Sequence, residues 1–506
     1  MSLSKKIAHN TAIHVVGKLT YTLFSIIIIM LITRYFGVAG YGEYNIVIVF
    51  VGFFVSLGDL GLYMLMVREI STKGFKKEII SNIFGLRIAT GLIIFILASI
   101  LCLVFPYPGI VKISIIFFAI SAIFSLLNQL LVGIFQIKLN IFKTVIADII
   151  SRGLVLVVLA YSFKFLNLNL IWVVIISLLG VVIGFLINFL FANHYVKINP
   201  KFNIQIWKKY LSQSLPIGIV LVLGLVFFKI DTLMLSVLPL ENVKLAFAQG
   251  LSNTEAVGFY GVPYRILEVF VSLPALFLGL VYPVLVKILN KKNKTNARKI
   301  LQKVFNFLLF VGFSIAITAF ILAPQIIEVV AGYDFDLSAL PLRILIISLV
   351  FVYLANITGY IFVAINKQKA LIKPYLFYCL FNIVLNLFMI PYFSFIGAAI
   401  ATVLSQALML FYNFYLVNKF IKFKPNLEKI YSVIGSSIFI IIIFMILLNS
   451  EFFIDLFFSS SFAFKIIETS ILFIFSIGLF WLFLYIFNGF DKKTLKNILL
   501  INKAKK

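Results

Sequence analysis

Nine ionisable residues stand inside apolar runs of membrane-crossing length: Lys18, Asp59, Arg87, Asp148, Arg152, Lys229, Asp231, Arg265 and Glu268. An unsheltered charge at a helix centre in lipid costs on the order of 2.5–3.5 kcal/mol. Such side chains therefore face one another or a wet cavity, and they mark substrate paths and ion relays. The basic members suit an anionic headgroup, because arginine grips phosphate oxygens bidentately and lysine supplies a point charge. Arg87, Arg152, Lys229, Arg265 and Lys18 are the candidate substrate-binding residues. The acidic members suit a coupling proton or sodium ion, which makes Asp59, Asp231, Glu268 and Asp148 the candidate ion-coupling residues.

Spacing sorts these charges. Asp148 and Arg152 stand at i, i+4 and Arg265 and Glu268 at i, i+3, so each pair can share a helix face and bridge. Lys229 and Asp231 are two apart and point in different directions, so they need partners on other helices. Asp59 and Arg87 have no partner nearby in sequence. Lys18, about a turn from the inner surface, can snorkel. Asn128, Gln129, Asn356, Tyr375, Tyr378, Asn382, Asn386, Gln406 and Asn413 add hydrogen-bonding groups that serve either a sugar or contacts between helices.

Other chemistries lack their residues. There is no Walker A sequence, and the three histidines show no metal-ligand spacing, so no cofactor and no metal is implied. Cys102 and Cys379 fall in apolar runs and read as small core residues. The carboxylates expected on the outer side (Glu43, Glu241, Glu255, Asp334, Asp336, Glu451, Asp455 and Glu468) are scattered over short connections. That distribution disfavours a glycan polymerase or ligase.

The elements that carry these residues follow from composition. Of 506 residues, 63% are hydrophobic and 12% charged, with a mean hydropathy of +1.15, against roughly 45–50% apolar and about 25% charged in soluble proteins. This predicts an all-α integral membrane protein. Apolar runs of spanning length fall at 14–36, 44–66, 80–105, 113–135, 144–163, 169–192, 213–238, 256–286, 302–330, 340–364, 371–393, 396–418, 430–450 and 464–488, fourteen in all. The eighth carries Pro263, Pro274 and Pro283 and should be kinked or tilted. The N-terminal run lacks a small-residue cleavage site and reads as a retained first helix. The net charge of +26 comes from lysines and arginines that cluster in alternate connections, so nucleic acid is not the implied partner. By the positive-inside bias both termini are cytoplasmic.

An internal repeat organises the spans. Gly42-Glu-Tyr44 is followed by Phe54-Val-Ser-Leu57, and Gly258-Phe-Tyr260 is followed at the same distance by Phe270-Val-Ser-Leu273. Both copies sit in spans running in the same direction, which implies a parallel repeat about an axis along the membrane normal. The expected organisation is an N-lobe, 1–210, a C-lobe, 211–420, and two further helices with a basic tail, 421–506. The copies are not equivalent: Val49 and Gly52 stand where the second copy has Arg265 and Glu268, and Asp59 stands where it has Ala275.

The stretches RYFGVAGYGEY (34–44), SLGDLGL (56–62), KIDTLML (229–235), EAVGFY (255–260), YRILE (264–268), YPVL (282–285), NKQK (366–369) and FNIVLNLFMIPYFSFIGAAIATVLSQ (381–406) give the chain a resemblance. It resembles Wzx-type oligosaccharide flippases, the polysaccharide-exporter branch of the multidrug/oligosaccharidyl-lipid/polysaccharide (MOP) superfamily. The resemblance implies two pseudo-symmetric six-helix lobes plus two C-terminal helices in the cell membrane. It also implies alternating-access flipping of a polyprenyl-diphosphate-linked oligosaccharide to the outer leaflet, no catalysis, and partnership with glycosyltransferase and polymerase machinery. The family's cleft is cationic, whereas the charges here are five basic against four acidic. The alternatives are a cation-coupled multidrug exporter of the same superfamily, which the buried basic residues disfavour, and a lipid II or teichoic-acid exporter.

Overall fold

A computed structural model describes residues 3–290, 294–365, 367–448, 450 and 462–489. Several sequence features lie outside the described residues: Lys291 and Lys292, the connection 451–461 with Glu451 and Asp455, and the basic tail after 489. Among the described residues there is no strand. Helix is the expected outcome, since lipid offers no partner for a backbone N–H or C=O and each segment must satisfy its own.

In chain order the helices are α1 Leu3–Asp59, α2 Leu62–Lys73, α3 Lys77–Val104, α4 Gly109–Ile137, α5 Phe142–Phe165, α6 Leu170–Asn193, α7 Ile204–Leu235, α8 Asn253–Val271 and α9 Leu273–Asn290. They continue with α10 Lys294–Ile321, α11 Ala323–Ala331, α12 Ala339–Ala364, α13 Ile372–Ile421, α14 Lys429–Leu448 and, as α15, Phe462–Ile486. Among the described residues, 11 segments are long and apolar enough to cross a membrane, and two of them, 13–72 and 369–421, each hold two of the expected runs. α1 is two helices meeting at Gly37 (φ 66°) and α13 two meeting at Ser394 (φ 52°). α7 covers most of the run expected at 213–238, so each of the fourteen expected runs falls on helix.

The lipid-facing surface is legible on α3. Ile93, Leu97, Ile100 and Val104 recur on one face and are exposed, while Arg87, Ile94, Ala98 and Cys102 are buried on the other. A helix apolar on its exposed face is built for hydrocarbon rather than water. Polar side chains join neighbours: Asn188 donates to Asn128 at 2.9 Å, and Trp207 Nε1 donates to the Asn82 carbonyl at 3.0 Å. At one end of α3, Tyr107 stacks on Phe105 and its hydroxyl hydrogen-bonds Ser236 at 2.9 Å. Burial pushes that phenol up to about 12, which keeps it neutral.

The helices gather into two compact units, Met1–Gly261 with Lys369–Ala401, and Val262–Gln368 with Thr402–Lys506. In the first unit the two copies of the repeat meet. A Cβ on Gly42 would lie 1.8 Å from the Thr254 carbonyl oxygen, and one on Gly258 would lie 2.3 Å from the Val38 carbonyl oxygen. Val38 and Thr254 stand at the repeat offset, as do Gly42 and Gly258. The contact is thus reciprocal, the mark of two-fold pairing. Asn45 and Gly261, also at that offset, touch directly: a Cβ on Gly261 would sit 2.3 Å from Asn45 Nδ2.

Both copies then break. The first stops at Asp59, turns through Leu60 (φ 44°) and Gly61 (φ 73°), and restarts as α2. The second stops at Val271 and restarts at Leu273 with Pro274 in its first turn, where the missing N–H costs nothing. The prolines of the eighth run therefore do produce an interruption, placed at Ser272. Span nine is also interrupted, at Leu322, where α10 gives way to α11 with Pro324 in its first turn.

Candidate functional site

Asp231 is the most enclosed of the sequence-selected carboxylates, 1% exposed. It lies near the end of α7, and its partners come from other helices, as its spacing requires. Tyr260 of α8 donates to one carboxylate oxygen at 3.2 Å and Asn386 of α13 donates to the other at 2.7 Å. The Asn386 amide also donates to the backbone carbonyl and side-chain oxygen of Asn382, at 3.0 and 3.1 Å. All three partners are buried. Asn386 Oδ1 is buried with no hydrogen-bond partner among the described residues, so the cluster ends in an oxygen able to take a donor or a cation. Its oxygens are hard ligands. No group of three His, Cys, Asp or Glu that could hold a metal ion is found among the described residues. α13 is held against α7 by Cys379 Sγ, which donates to the Leu223 carbonyl at 3.0 Å.

Asp59 and Arg87, without local partners in sequence, find each other. The Arg87 guanidinium on α3 is 0% exposed and pairs with the Asp59 carboxylate. It also donates to the carbonyls of Gly58 at 2.9 Å and Asp59 at 3.1 Å, and approaches Gln129 Oε1 at 3.5 Å. These are the last carbonyls before the Leu60–Gly61 turn, which the helix cannot satisfy itself. Arg87 thus caps the helix end, where its charge also meets the negative pole of the helix dipole.

The remaining candidates are more open. Arg265 and Glu268 form the expected bridge at 2.8 Å, with side chains 40% and 29% exposed. Arg152 makes no ion pair with Asp148 among the described residues. It donates to the Tyr21 hydroxyl at 2.6 Å, with its guanidinium 4.8 Å from the Tyr21 ring centroid. A cation over an aromatic face keeps its charge at lower desolvation cost. Asp148, Lys229 and Lys18 are half-buried on α5, α7 and α1.

Two residues that sequence reasoning left out, Tyr260 and Tyr21, enter here, and Asn386, expected to serve a sugar or a contact between helices, makes the contact between helices. Tyr260 and Asn386 hold Asp231, and Tyr21 holds Arg152. The signal for Asn386 was its i, i+4 relation to Asn382 on one face of an apolar run. Tyr21 gave none, because its role depends on which helix lies opposite.

The arrangement is a polytopic helical membrane protein with ionisable side chains sheltered inside its apolar helices. Solved structures agree at the level of fold. A lipid II flippase MurJ in an inward closed conformation superposes with a TM-score of 0.73 at 17% identity, over 94% of this chain and 98% of that one. An inward-facing multidrug resistance MATE family transporter of the MOP superfamily gives 0.63 at 16% identity, over 79% and 94%. A MOP superfamily transporter from Pyrococcus furiosus gives 0.60 at 14% identity, over 83% and 96%. No curated protein matches the sequence. The model of the family described as polysaccharide biosynthesis protein matches residues 7–289, more than half of the chain, and the chain belongs to that family.

Proposed function

We propose that this protein flips a polyprenyl-diphosphate-linked oligosaccharide from the cytoplasmic to the outer leaflet of the cell membrane by alternating access, coupled to H+ or Na+. The supporting observation is Arg265, a guanidinium inside a spanning helix with 40% of its side chain exposed and a carboxylate at 2.8 Å, in a chain of the polysaccharide biosynthesis family. The diphosphate exchanges with Glu268 for the guanidinium, because two phosphate groups offer more charge and more acceptors than one carboxylate. Glu268, displaced, takes up the coupling proton or contacts the ion. Lys229, Arg152 and Lys18 supply further positive charge along the path. Asp231, with the Asn386 oxygen beside it, is the second ion-coupling carboxylate, and Asp148 the third. Arg87 and Asp59 hold the helix break about which the first copy bends. The halves 1–210 and 211–420 move as lobes, with both termini cytoplasmic and the glycosyltransferase and polymerase machinery on either side of the transport step.

The test is surface glycan in cells carrying Arg265→Glu. Export falls by about tenfold or more, the loss expected when a charge-assisted contact of about 1.4 kcal/mol or better is removed, while Arg265→Lys retains part of it. Wild-type export at wild-type protein level in Arg265→Glu would remove Arg265 from the path. Lipid II transport by the same protein in proteoliposomes, with no transport of oligosaccharide-loaded carrier, would replace the cargo.

A further inference from the structure

A groove in the second compact unit is built from residues that the transport reading does not use. Its volume is about 780 Å3, and Arg298, Lys299, Lys419, Lys422 and Lys424 line it with no carboxylate among the lining residues. It lies where the first turns of α10 meet the end of α13 and the extended segment that follows.

That segment is fastened in place. Gln302 of α10 donates from Nε2 to the Asn426 carbonyl at 2.9 Å and accepts from the Asn426 N–H at 2.8 Å. Arg298 donates from Nε and Nη2 to the Ile421 carbonyl at 3.3 and 3.2 Å. Lys422, in the left-handed region at φ 53°, donates its N–H to the Asn418 carbonyl at 2.8 Å. The end of α13 would otherwise present carbonyls that repel an anion. Here Arg298 covers one of them, and the guanidinium N–H groups beyond those two bonds have no partner among the described residues. Five cations held together with no counter-charge repel one another, and a bound anion relieves that repulsion.

The neighbouring surface says what kind of anion. On α13, Phe411, Tyr415 and Lys419 fall on one helix face, and Lys422 follows directly after the helix end. Phe411 is 70% and Tyr415 62% exposed, and both lysines are exposed. Passing from ring to phenol to ammonium along one exposed face reproduces the gradient from hydrocarbon through interface to headgroup layer. A soluble anion has no use for the aromatic part of that ladder, whereas a lipid uses both ends.

We infer that this groove binds the phosphate headgroup of an anionic glycerophospholipid, whose acyl chains run along the Phe411–Tyr415 face of α13. Basic pockets between spanning helices recognise phosphate headgroups in this way. The inference stands apart from the proposed cargo and is read by lipid binding, so neither failure implies the other.

The experiment uses the full chain in nanodiscs of phosphatidylcholine with a minor share of phosphatidylglycerol, and counts by native mass spectrometry the lipids that stay bound. The wild-type protein retains phosphatidylglycerol over phosphatidylcholine by about tenfold, and Lys419→Gln/Lys422→Gln/Lys424→Gln, which leaves Arg298 and Gln302 in place, reduces that preference to about twofold or less. Phe411→Ala/Tyr415→Ala lowers retention without abolishing headgroup preference. Equal preference in the wild type and the lysine variant overturns the inference. So does inorganic phosphate raising the melting temperature of the wild type, but not of the lysine variant, in pure phosphatidylcholine, because that marks a soluble-anion site.

Discussion

The two copies of the repeat begin alike and end differently. Segments 38–61 and 254–274 each run from a glycine contact to a helix break, and the breaks fall within a few residues of the same repeat position. The first copy closes its break with two left-handed residues and a buried arginine from another helix, Arg87 at 0% exposure. The second closes its break with a proline in the new first turn, which needs no outside help. It carries its arginine on itself, paired to Glu268 three residues on and 40% exposed. One guanidinium is committed to holding backbone. The other is partly exposed and pairs with a carboxylate on its own helix. The two copies share a frame, and in the function proposed above their arginines divide structural from transport duty between them.

The largest expected effect tests that division. Arg87→Ala leaves the Asp59 carboxylate and two helix-end carbonyls without their donor. It should lower stability by about 3–5 kcal/mol, the cost of breaking a buried pair by removing one partner, read as the denaturation midpoint in detergent. A midpoint within error of wild type would place the cap elsewhere. The contact between the copies comes next. Gly42→Ala puts a methyl where the Thr254 carbonyl oxygen stands 1.8 Å away, and overpacking of this kind costs about 1–3 kcal/mol. Gly52, in the same helix with nothing within 4 Å, should accept alanine at no cost or gain up to about 1 kcal/mol from helix propensity. If Gly42→Ala and Gly52→Ala behave alike, the close approach of the copies is not what holds them. The smallest effect on stability belongs to Arg265→Ala, within about 1 kcal/mol of wild type as for other exposed pairs, while its effect on export is the larger. A large loss of stability there would make Arg265 a second structural pin and erase the contrast.

Much of this was readable in the chain. Spans are local, since twenty apolar residues in lipid have to form a helix whatever surrounds them, and all fourteen runs reappear, two pairs of them inside α1 and α13. The Arg265–Glu268 bridge was also local, i, i+3 on one helix. Asp148 and Arg152 share the same kind of spacing, yet Arg152 turns to Tyr21 instead. Spacing states what a side chain can reach, while the facing helix decides what it meets.

The sequence by itself determined that the chain carries fourteen apolar runs of membrane-crossing length, that two of its segments repeat at a fixed offset, and that the charges inside its apolar runs need shelter. Each follows from hydropathy or from identity between segments, and neither property depends on packing. Only the tertiary structure decided which charges shelter one another. Asp59 meets Arg87, Asp231 meets Tyr260 and Asn386, and Gly42 meets the turn before Gly258, because these contacts join residues tens to hundreds of positions apart. A one-dimensional pattern carries no register between helices. That register is set when interhelical hydrogen bonds and close backbone contacts choose among the ways of packing apolar cylinders in lipid.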